Sequence, residues 1–499
     1  MPSSAAYKGL TDRYRRVALL GEAAAVLHWD WAAMMPDGGA TRRTEQLAEL
    51  ELLIHEIMTD PALEGDLNEA ATEGLDAWER ANLTEMRRRW IHANAVPAKL
   101  VTALAKSTAQ CEMVWREARE DNNFDAFADA FAPVLALVRE KAAALGEVLG
   151  CSPYEGLIDQ YDPGAREHEI DGLFAELQTF LPEHLNQVLA RQSDQPALPT
   201  QVLALSEERQ AVLAQSIMAG VGFEFSHGRL DTSHHPFCGG VSDDVRITTR
   251  YDRADLSTGL MGVLHETGHA LYERGLPTVW RGQPVGDACG MAVHESQSLL
   301  FEMQACRGRA FFRHLAPKIR SALDVAHSVP AYSAEALHRR AIQVAPGLIR
   351  VDADEVTYPF HIFLRYEMEK ALIAGTLAIA DLPDAWRDGM QKHLGLVPET
   401  HRDGVLQDIH WPVGSIGYFP SYTIGAVMAA QLFAAIRRAE PDLSSQLEAG
   451  DFSSILAWLR TNIHGHGSRY SRVELTRQAT GRPLSADAFK SHLKRRYLG

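Results

Sequence analysis

The residues with the clearest chemical potential lie in the stretch GLMGVLHETGHALYERG, residues 259–275. His265 and His269 are four positions apart, so both imidazoles project from the same face of an α-helix. Two imidazoles on one face can bind one metal ion, and Glu266 between them could act as a general base on a water molecule. The spacing therefore predicts a hydrolytic metal site on a helix. The alternative is a helix with two incidental histidines.

A helix is also predicted by a core stripe of mostly apolar residues that recur every three or four positions: Leu256, Leu260, Val263, Leu264, Thr267 and Leu271. Gly259, Gly262 and Gly268 oppose a helix, because each interior glycine costs ~1 kcal/mol relative to alanine. We therefore expect these glycines to admit a ligand or a neighbouring backbone, such as the preceding strand. Gly275 is a suitable C-terminal stop.

A third metal ligand is expected from the following segment, because zinc hydrolases commonly use three protein ligands and keep one position for water. A third histidine is missing at position 275, where a glycine stands. The segment GMAVHESQSLLFEMQA, residues 290–305, offers His294, Glu295 and Glu302 instead. Carboxylates on a partly apolar helix face are costly to bury without a partner. We expect Glu295 to bind the metal and Glu302 to support the site, with solvated surface glutamates as the alternative.

Composition narrows the class of protein. The chain has 499 residues, a net charge of −16 and five widely spaced cysteines without a C-x-x-C pair. The acidic balance argues against nucleic acid or an anionic membrane as partner. The odd number and wide spacing of the cysteines favour free thiols in a reducing compartment. The longest late apolar run, residues 424–436, is too short to span a bilayer. We expect a cytoplasmic protein.

Helical patterns dominate the chain. Residues 1–190 form an N-terminal helical region, and the most loop-like segment of the first half, RQSDQPALPT, follows it at 191–200. The clearest strand is DVRITTRY, in which Val245, Ile247 and Thr249 alternate with Arg246, Thr248 and Arg250 and so lie on opposite faces. FEFSHGRLDTS is a plausible partner strand. A small sheet therefore precedes the metal helix. We expect residues 1–499 to form one catalytic unit, with the metal and substrate site within about 220–425.

The chain resembles the carboxypeptidase Taq family of metallocarboxypeptidases. HETGH is followed by HESQ, and Glu295 lies thirty positions after His265. Further motifs of the family occur in the same order: HPF at 235–237, DVRIT at 244–248, IRVDAD at 349–354 and GVLQDIHW at 404–411. Segments near the N-terminus and after the last motif are also similar to the family. The resemblance covers nearly the whole chain.

The resemblance implies a mainly α-helical fold with a deep groove between two lobes, a small β-sheet beside the metal-binding helix, and a metal at the groove floor. It implies an enzyme that removes C-terminal residues from peptides with broad side-chain tolerance. It also implies Zn²⁺ or Co²⁺ as cofactor and a homodimer as the assembly.

A carboxypeptidase must recognise the free α-carboxylate of its substrate, and the planar fork of an arginine matches a carboxylate with two hydrogen bonds. The resemblance places an arginine at Arg350. The alternative is that Arg350 pairs with Asp352 or Asp354, its close neighbours in sequence.

The oxyanion formed during peptide hydrolysis needs hydrogen-bond donors. His410 in QDIHW is the main candidate, and Tyr418 and Tyr422 in GYFPSY are the others. Gln407 and Asp408 could orient His410, as outer carboxylates and amides orient imidazoles.

His235, Asp244 and Arg246 are expected to bind substrate, at the groove floor or on the strand beside the metal. Two other functions fit less well. A metallo-endopeptidase with the same metal core has no need of a carboxylate clamp at Arg350. A non-enzymatic helical protein with a structural metal would be expected to lack a ligand or Glu266, and all of these are present.

Overall fold

The structure, a computed structural model, describes residues 5–201, 204–233, 236–253 and 255–499, without the side chains of residues 257 and 258. Helices make up 69% of the chain, and the described strands form one three-stranded sheet. These proportions confirm the mainly α-helical fold with a small sheet. In the described part of the chain, no helix is long and apolar enough to cross a membrane.

The α-helices in chain order are α1 (Ala5–Ala33), α2 (Ala40–Met58), α3 (Ala62–Ala70), α4 (Ala77–Ala95), α5 (Ala98–Glu120), α6 (Phe124–Leu149), α7 (Pro153–Ile158), α8 (Glu167–Ser193), α9 (Glu207–Val221), α10 (Leu256–Gly275), α11 (Met291–Leu299), α12 (Arg309–Leu323), α13 (Ala334–Ala341), α14 (Tyr358–Ala374), α15 (Leu382–Leu394), α16 (Pro420–Ala439), α17 (Leu443–Ala449), α18 (Ser453–Asn462), α19 (Arg472–Thr480) and α20 (Asp487–Leu493). π-Helical turns follow α11 and α20, at Leu300–Cys306 and Lys494–Leu498. The strands are β1 (Gly228–Thr232), β2 (Phe237–Val241) and β3 (Asp244–Thr249).

The chain forms two compact units. Unit 1 comprises Met1–Ala93, Ala197–Ile342 and Gly425–Leu484, and unit 2 comprises Asn94–Pro196, Gln343–Ile424 and Ser485–Gly499. The loop-like segment at 191–200 contains one of the boundaries between them. The groove between two lobes and the single catalytic unit stay predictions.

Helix α10 lies in the main core of unit 1. It spans the predicted range, and Leu260, Leu264 and Leu271 of its apolar stripe are buried in that core. Its last residue is Gly275, where any β-carbon would collide with the imidazole ring of His464. The helix that carries the predicted metal motif is therefore fixed by packing along its length and at its end.

The sheet packs directly against α10. Strand β3 lies in the centre, parallel to β1 and antiparallel to β2. Val245 and Ile247 of β3 are fully buried and share a small apolar cluster with Val263 and Ala270 of α10. The prediction of a sheet beside the metal-binding helix is confirmed. Strand β2, which contains two glycines, shows no alternation in sequence and was not predicted as a separate element.

Unit 2 contains a buried carboxylate that anchors the loop between α15 and α16. Glu369 of α14 accepts hydrogen bonds from the Tyr154 hydroxyl at 2.7 Å, the Trp411 indole at 2.9 Å and the Gly417 amide at 2.9 Å. Burial raises the pKa of Glu369 to about 7, although these three donors act to lower it. Both ends of the segment 411–417 are thereby attached to one side chain.

The three interior glycines of α10 have different surroundings. A β-carbon at Gly268 would lie 2.6 Å from both the Gln297 carbonyl oxygen and the Ser298 Cα in α11. A β-carbon at Gly259 would lie 3.3 Å from the Arg250 carbonyl oxygen, just beyond β3. Among the described residues, no atom apart from the adjacent residues and the nearby backbone of α10 would lie within 4 Å of a β-carbon at Gly262. Close backbone approach therefore explains Gly268 and Gly259, and the structure gives no reason for Gly262.

Gly268→Ala is expected to destabilise unit 1 by about 1–3 kcal/mol, because two helix backbones must separate to admit the methyl group. Gly262→Ala is the matched control in the same helix, and it should stabilise the protein by up to ~1 kcal/mol through helix propensity. Denaturant midpoints of both variants and the parent chain measure the difference. Equal midpoints for the two variants would contradict this account of the helix contact.

Candidate metal centre and active-site residues

The three predicted metal ligands converge in unit 1. His265 and His269 extend from α10 and Glu295 from α11, and one ligand atom from each lies within 4.8 Å of the others. The Nε2 atoms of His265 and His269 are 3.6 Å and 3.3 Å from the same oxygen of Glu295. Tetrahedral coordination with bonds of about 2.1 Å places ligand atoms roughly 3.4 Å apart. The two imidazoles and the carboxylate therefore fit a tetrahedral divalent cation such as Zn²⁺.

Burial and charge shift the acid–base behaviour of this group strongly. Burial would lower the pKa of His265, but Glu295 and the hydrogen bond to Glu302 raise it to about 10. Burial lowers the pKa of His269 to about 4, against the opposing effect of the neighbouring Glu295 carboxylate. Burial would raise the pKa of Glu295, and the two histidines lower it. The candidate metal site thus contains an ionised carboxylate and two imidazoles, all of them largely buried away from solvent.

Glu266 is the candidate general base, and only 8% of its surface is exposed. Burial raises its pKa to about 7; His265 opposes the shift, and the charge of Glu295 adds to it. A carboxylate whose pKa lies near neutrality can both accept and return a proton at physiological pH. The environment of Glu266 therefore suits acid–base chemistry.

Glu302 is buried and supports His265. Its carboxylate lies 2.9 Å from His265 Nδ1, and its other oxygen accepts a hydrogen bond from the Arg307 guanidinium at 2.7 Å. Glu302 belongs to the π-helical turn Leu300–Cys306, where the Arg307 amide donates to the Glu302 carbonyl at 3.0 Å. Such turns often occur at functional sites. The carboxylate can orient the imidazole and make it a better ligand.

His294 was one of three candidates for the third ligand, and the structure gives it another contact. Its Nδ1 lies 2.6 Å from His269 Nδ1, and its Nε2 lies 3.0 Å from a Glu273 oxygen. Burial would raise the pKa of Glu273, and the hydrogen bond with His294 lowers it. Sequence reasoning missed this arrangement, although Glu273 lies one helical turn after His269.

Arg350 lies in unit 2 and is paired with a distant aspartate. Its guanidinium donates to one oxygen of Asp408 through Nε at 2.9 Å and lies 2.8 Å from it through Nη2. It also donates to the Tyr358 hydroxyl at 2.8 Å. Asp354, one of the two partners considered from sequence, instead accepts the amides of residues 356 and 357. Arg350 is 6% exposed, and its ion pair is with Asp408.

Asp408 joins two arginines, which corrects the expectation that it orients His410. Its second oxygen accepts a hydrogen bond from Arg365 Nε at 2.7 Å, and Arg365 is fully buried in α14. Burial would raise the pKa of Asp408, but Arg350 and Arg365 hold it far below its usual range. Gln407 also contacts Arg350 by accepting its backbone amide at 2.8 Å. Arg365 could have been suspected from its position within the apolar sequence FHIFLRY.

The three candidates for oxyanion binding lie together in unit 2. The Tyr422 hydroxyl is 3.2 Å from His410 Nε2. The rings of Tyr418 and Tyr422 are 5.2 Å apart, and the ring of Tyr422 is 5.2 Å from the Arg350 guanidinium carbon. Burial and the charge of Arg350 lower the pKa of His410 to about 3, so its imidazole is neutral at physiological pH.

The remaining substrate-binding candidates are on or near the sheet of unit 1. Asp244 and Arg246 form an ion pair with contacts of 2.6–3.1 Å along β3, and the Arg246 guanidinium lies 4.2 Å from the centre of the Trp29 ring. This pairing positions the arginine against an aromatic side chain. His235 lies outside the described residues.

Comparison with known proteins identifies the family. The sequence profile of the carboxypeptidase Taq (M32) metallopeptidases matches residues 9–497. The chain belongs to this family. It is 38% identical to thermostable carboxypeptidase 1 of Thermus thermophilus, over the whole chain and 99% of the relative. It is 33% identical to thermostable carboxypeptidase 1 of Pyrococcus furiosus, over 98% of each.

Solved structures agree with this assignment. Trypanosoma cruzi metallocarboxypeptidase 1 matches with a TM-score of 0.96 at 38% identity, over 99% of both chains. The M32 carboxypeptidase from Deinococcus radiodurans R1 matches with a TM-score of 0.93 at 34% identity, again over 99% of both chains. The resemblance inferred from the motifs is thus confirmed, and the enzyme is a metallocarboxypeptidase that acts on peptides.

Glu302→Gln in this metallocarboxypeptidase is expected to weaken Zn²⁺ binding about 10-fold, because a neutral amide still accepts from His265 but no longer increases its basicity. Glu302→Ala removes the acceptor and should weaken binding about 100-fold. Competition with a chelating dye measures both constants.

Glu335→Gln is the control, since Glu335 is an exposed carboxylate of unit 1 whose contact is with Arg309. It should bind Zn²⁺ as the parent chain does. Unchanged affinity in Glu302→Ala would show that Glu302 only fills space.

Proposed function

We propose that the enzyme releases single amino acids from the free C-terminus of peptides, with broad side-chain tolerance and with Zn²⁺ or Co²⁺ as cofactor. The observation that carries this proposal is the convergence of His265, His269 and Glu295 with ligand-atom separations that suit a tetrahedral cation. When bound, the cation supplies a Lewis acid that polarises the scissile carbonyl and acidifies a water molecule.

Glu266 is the proposed general base. Its raised pKa allows it to take a proton from the attacking water at neutral pH and to return that proton to the leaving amine. Its position in the sequence, between the two imidazoles, puts it on the helix that presents the ligands. The same residue would thus serve both proton transfers.

Arg350 is the proposed binding group for the substrate α-carboxylate. Two buried guanidiniums, those of Arg350 and Arg365, share the single carboxylate of Asp408. That sharing leaves positive charge available to an entering carboxylate, and the exposed surface of Arg350 is small enough for a well-desolvated ion pair.

His410, Tyr418 and Tyr422 are the proposed oxyanion donors. Neutral His410 and the phenols carry hydrogens that can be donated to a developing negative charge. The 3.2 Å contact between His410 and Tyr422 supports a shared role for this pair.

Asp244, Arg246 and His235 are proposed to bind the substrate further from its C-terminus. We also propose that the enzyme is cytoplasmic, because its five free thiols suit a reducing compartment. The family resemblance suggests that it is a homodimer.

Glu266→Gln should retain Zn²⁺ affinity but lose about 10²–10⁴-fold in kcat, because general base catalysis contributes that factor. Metal content and turnover on one peptide measure the two effects, with Glu335→Gln again as control. A fully active Glu266→Gln enzyme with bound metal would disprove this mechanism.

A peptide offered in two forms, with a free and an amidated C-terminus, tests the exopeptidase activity. Mass spectrometry should show a ladder of shortened products from the free form alone, abolished by a chelator. Arg350→Ala should lower kcat/KM by about 10²-fold or more, since charged hydrogen bonds contribute about 1.5–3 kcal/mol each. Arg350→Lys should retain part of the activity.

The control for these variants is Arg387→Ala, because Arg387 is an exposed arginine of the same unit. Thermal unfolding of each variant separates lost binding from lost folding, since Arg350 is also tied to Asp408. Internal cuts in both peptide forms would favour a metallo-endopeptidase and make Arg350 a structural ion-pair residue.

A further inference from the structure

His269 has an outer hydrogen-bond partner of an unusual kind. Its Nδ1 lies 2.6 Å from the Nδ1 of His294, a distance at which one hydrogen is shared between two nitrogens. His294 Nε2 lies 3.0 Å from one oxygen of Glu273, whose other oxygen accepts the Ser242 hydroxyl at 2.9 Å. The other candidate ligand histidine, His265, instead contacts the carboxylate of Glu302 directly.

The direction of each hydrogen bond in this series follows from its last member, Glu273. An ionised carboxylate only accepts, so Glu273 requires the hydrogen of His294 to be on Nε2. A singly protonated His294 with this hydrogen has a lone pair on Nδ1, so the shared hydrogen then belongs to His269 Nδ1. The Nε2 of His269 therefore keeps its lone pair, and this is the atom that lies 3.3 Å from Glu295.

We propose that Glu273 and His294 are positioning residues that hold His269 in the Nδ1–H tautomer with its Nε2 ready to bind the metal. The proposal rests on the proposed metal-binding role of His269. Both positioning residues are on the two helices that carry the ligands: Glu273 is one turn after His269 on α10, and His294 directly precedes Glu295 on α11. The rings of His269 and His294 are 4.6 Å apart, and Tyr272 packs edge-on against His294 at 5.2 Å.

Zn²⁺ affinity of the full-length protein, measured by dye competition, tests the series of hydrogen bonds from His269 through His294 to Glu273. Glu273→Gln should weaken binding about 10-fold and His294→Leu about 100-fold, as outer partners of metal-binding histidines do. His294→Asn keeps an acceptor oxygen close to the position of Nδ1 and should restore part of the affinity. Because Glu273 acts through His294, the double variant should bind no more weakly than His294→Leu alone.

Two control variants remove the same side-chain types from the same unit. Glu224→Gln removes an exposed carboxylate that lies 3.3 Å from His227 and 3.5 Å from Arg274, and His227→Ala removes a partly exposed imidazole. Both should bind Zn²⁺ as the parent chain does. Thermal unfolding without metal checks that each variant folds.

A spectroscopic readout separates positioning from a purely structural role. In the Co²⁺-loaded protein, the Nδ1 hydrogens of the ligand histidines give paramagnetically shifted NMR signals. The signal of His269 should exchange slowly with solvent in the parent chain and rapidly in His294→Leu, whereas the signal of His265 should not change.

The outcomes are distinguishable. If the parent chain binds no Zn²⁺, the proposed metal site and the positioning role both fail. If it binds Zn²⁺ and all folded variants at positions 273 and 294 bind equally well, the metal site stands and the positioning role is wrong. Additive losses in the double variant would likewise overturn the chain, because they would show that Glu273 acts independently of His294.

Discussion

The metal centre depends on how closely α10 and α11 approach at Gly268. Packed helices are commonly separated by the side chains between them, with axes 8–10 Å apart. At Gly268 no β-carbon is present, and the position that it would occupy is 2.6 Å from the backbone of α11. This contact allows side chains from both helices to meet directly. His269 reaches Glu295 in one direction and His294 in another, so both the ligand set and its support follow from one missing methyl group.

The same approach concentrates buried charge. Glu266, Glu295 and Glu302 are each less than 9% exposed, and they surround two imidazoles. Such a group is expensive to bury without compensation. Arg307 pairs with Glu302, whereas the charged contacts of Glu295 are with the two imidazoles. A divalent cation would compensate these buried carboxylates, which gives an electrostatic reason for metal binding in addition to the geometric one.

Much of this arrangement could be predicted because it is local in sequence. The bounds of α10, the alternation in β3 and the pair His265 and His269 all follow from periodicities of a few residues. The candidate third ligand, Glu295, follows from the acidic residues of the next segment, and the family motifs agree with it. The pairing of Arg350 with Asp408 could not be predicted in the same way, because the two are 58 residues apart and the partners that the sequence suggests for Arg350 are its neighbours Asp352 and Asp354.

Two further contacts could not be predicted for a similar reason. His294 is only one of three candidate ligands in the sequence, because sequence shows which residues could bind a metal, whereas the orientation of the His294 ring depends on packing between two helices. Asp408 was expected to contact His410, two positions away, but two arginines offer it a stronger electrostatic interaction. Long-range ion pairs and ring orientations are tertiary features, and no periodicity encodes them.

The π-helical turn at Leu300–Cys306 has a consequence for how this region can change in evolution. A π turn contains more residues than an α turn, and each residue of an α-helix rotates the next by about 100°. Deleting one residue within the turn would restore a continuous α-helix but would rotate the residues on either side of it relative to each other. Glu295 and Glu302 could then no longer face the same histidine. An insertion or deletion within the turn would therefore disturb the site even if Glu302 were retained, so the number of residues here is constrained in addition to the identity of Glu302.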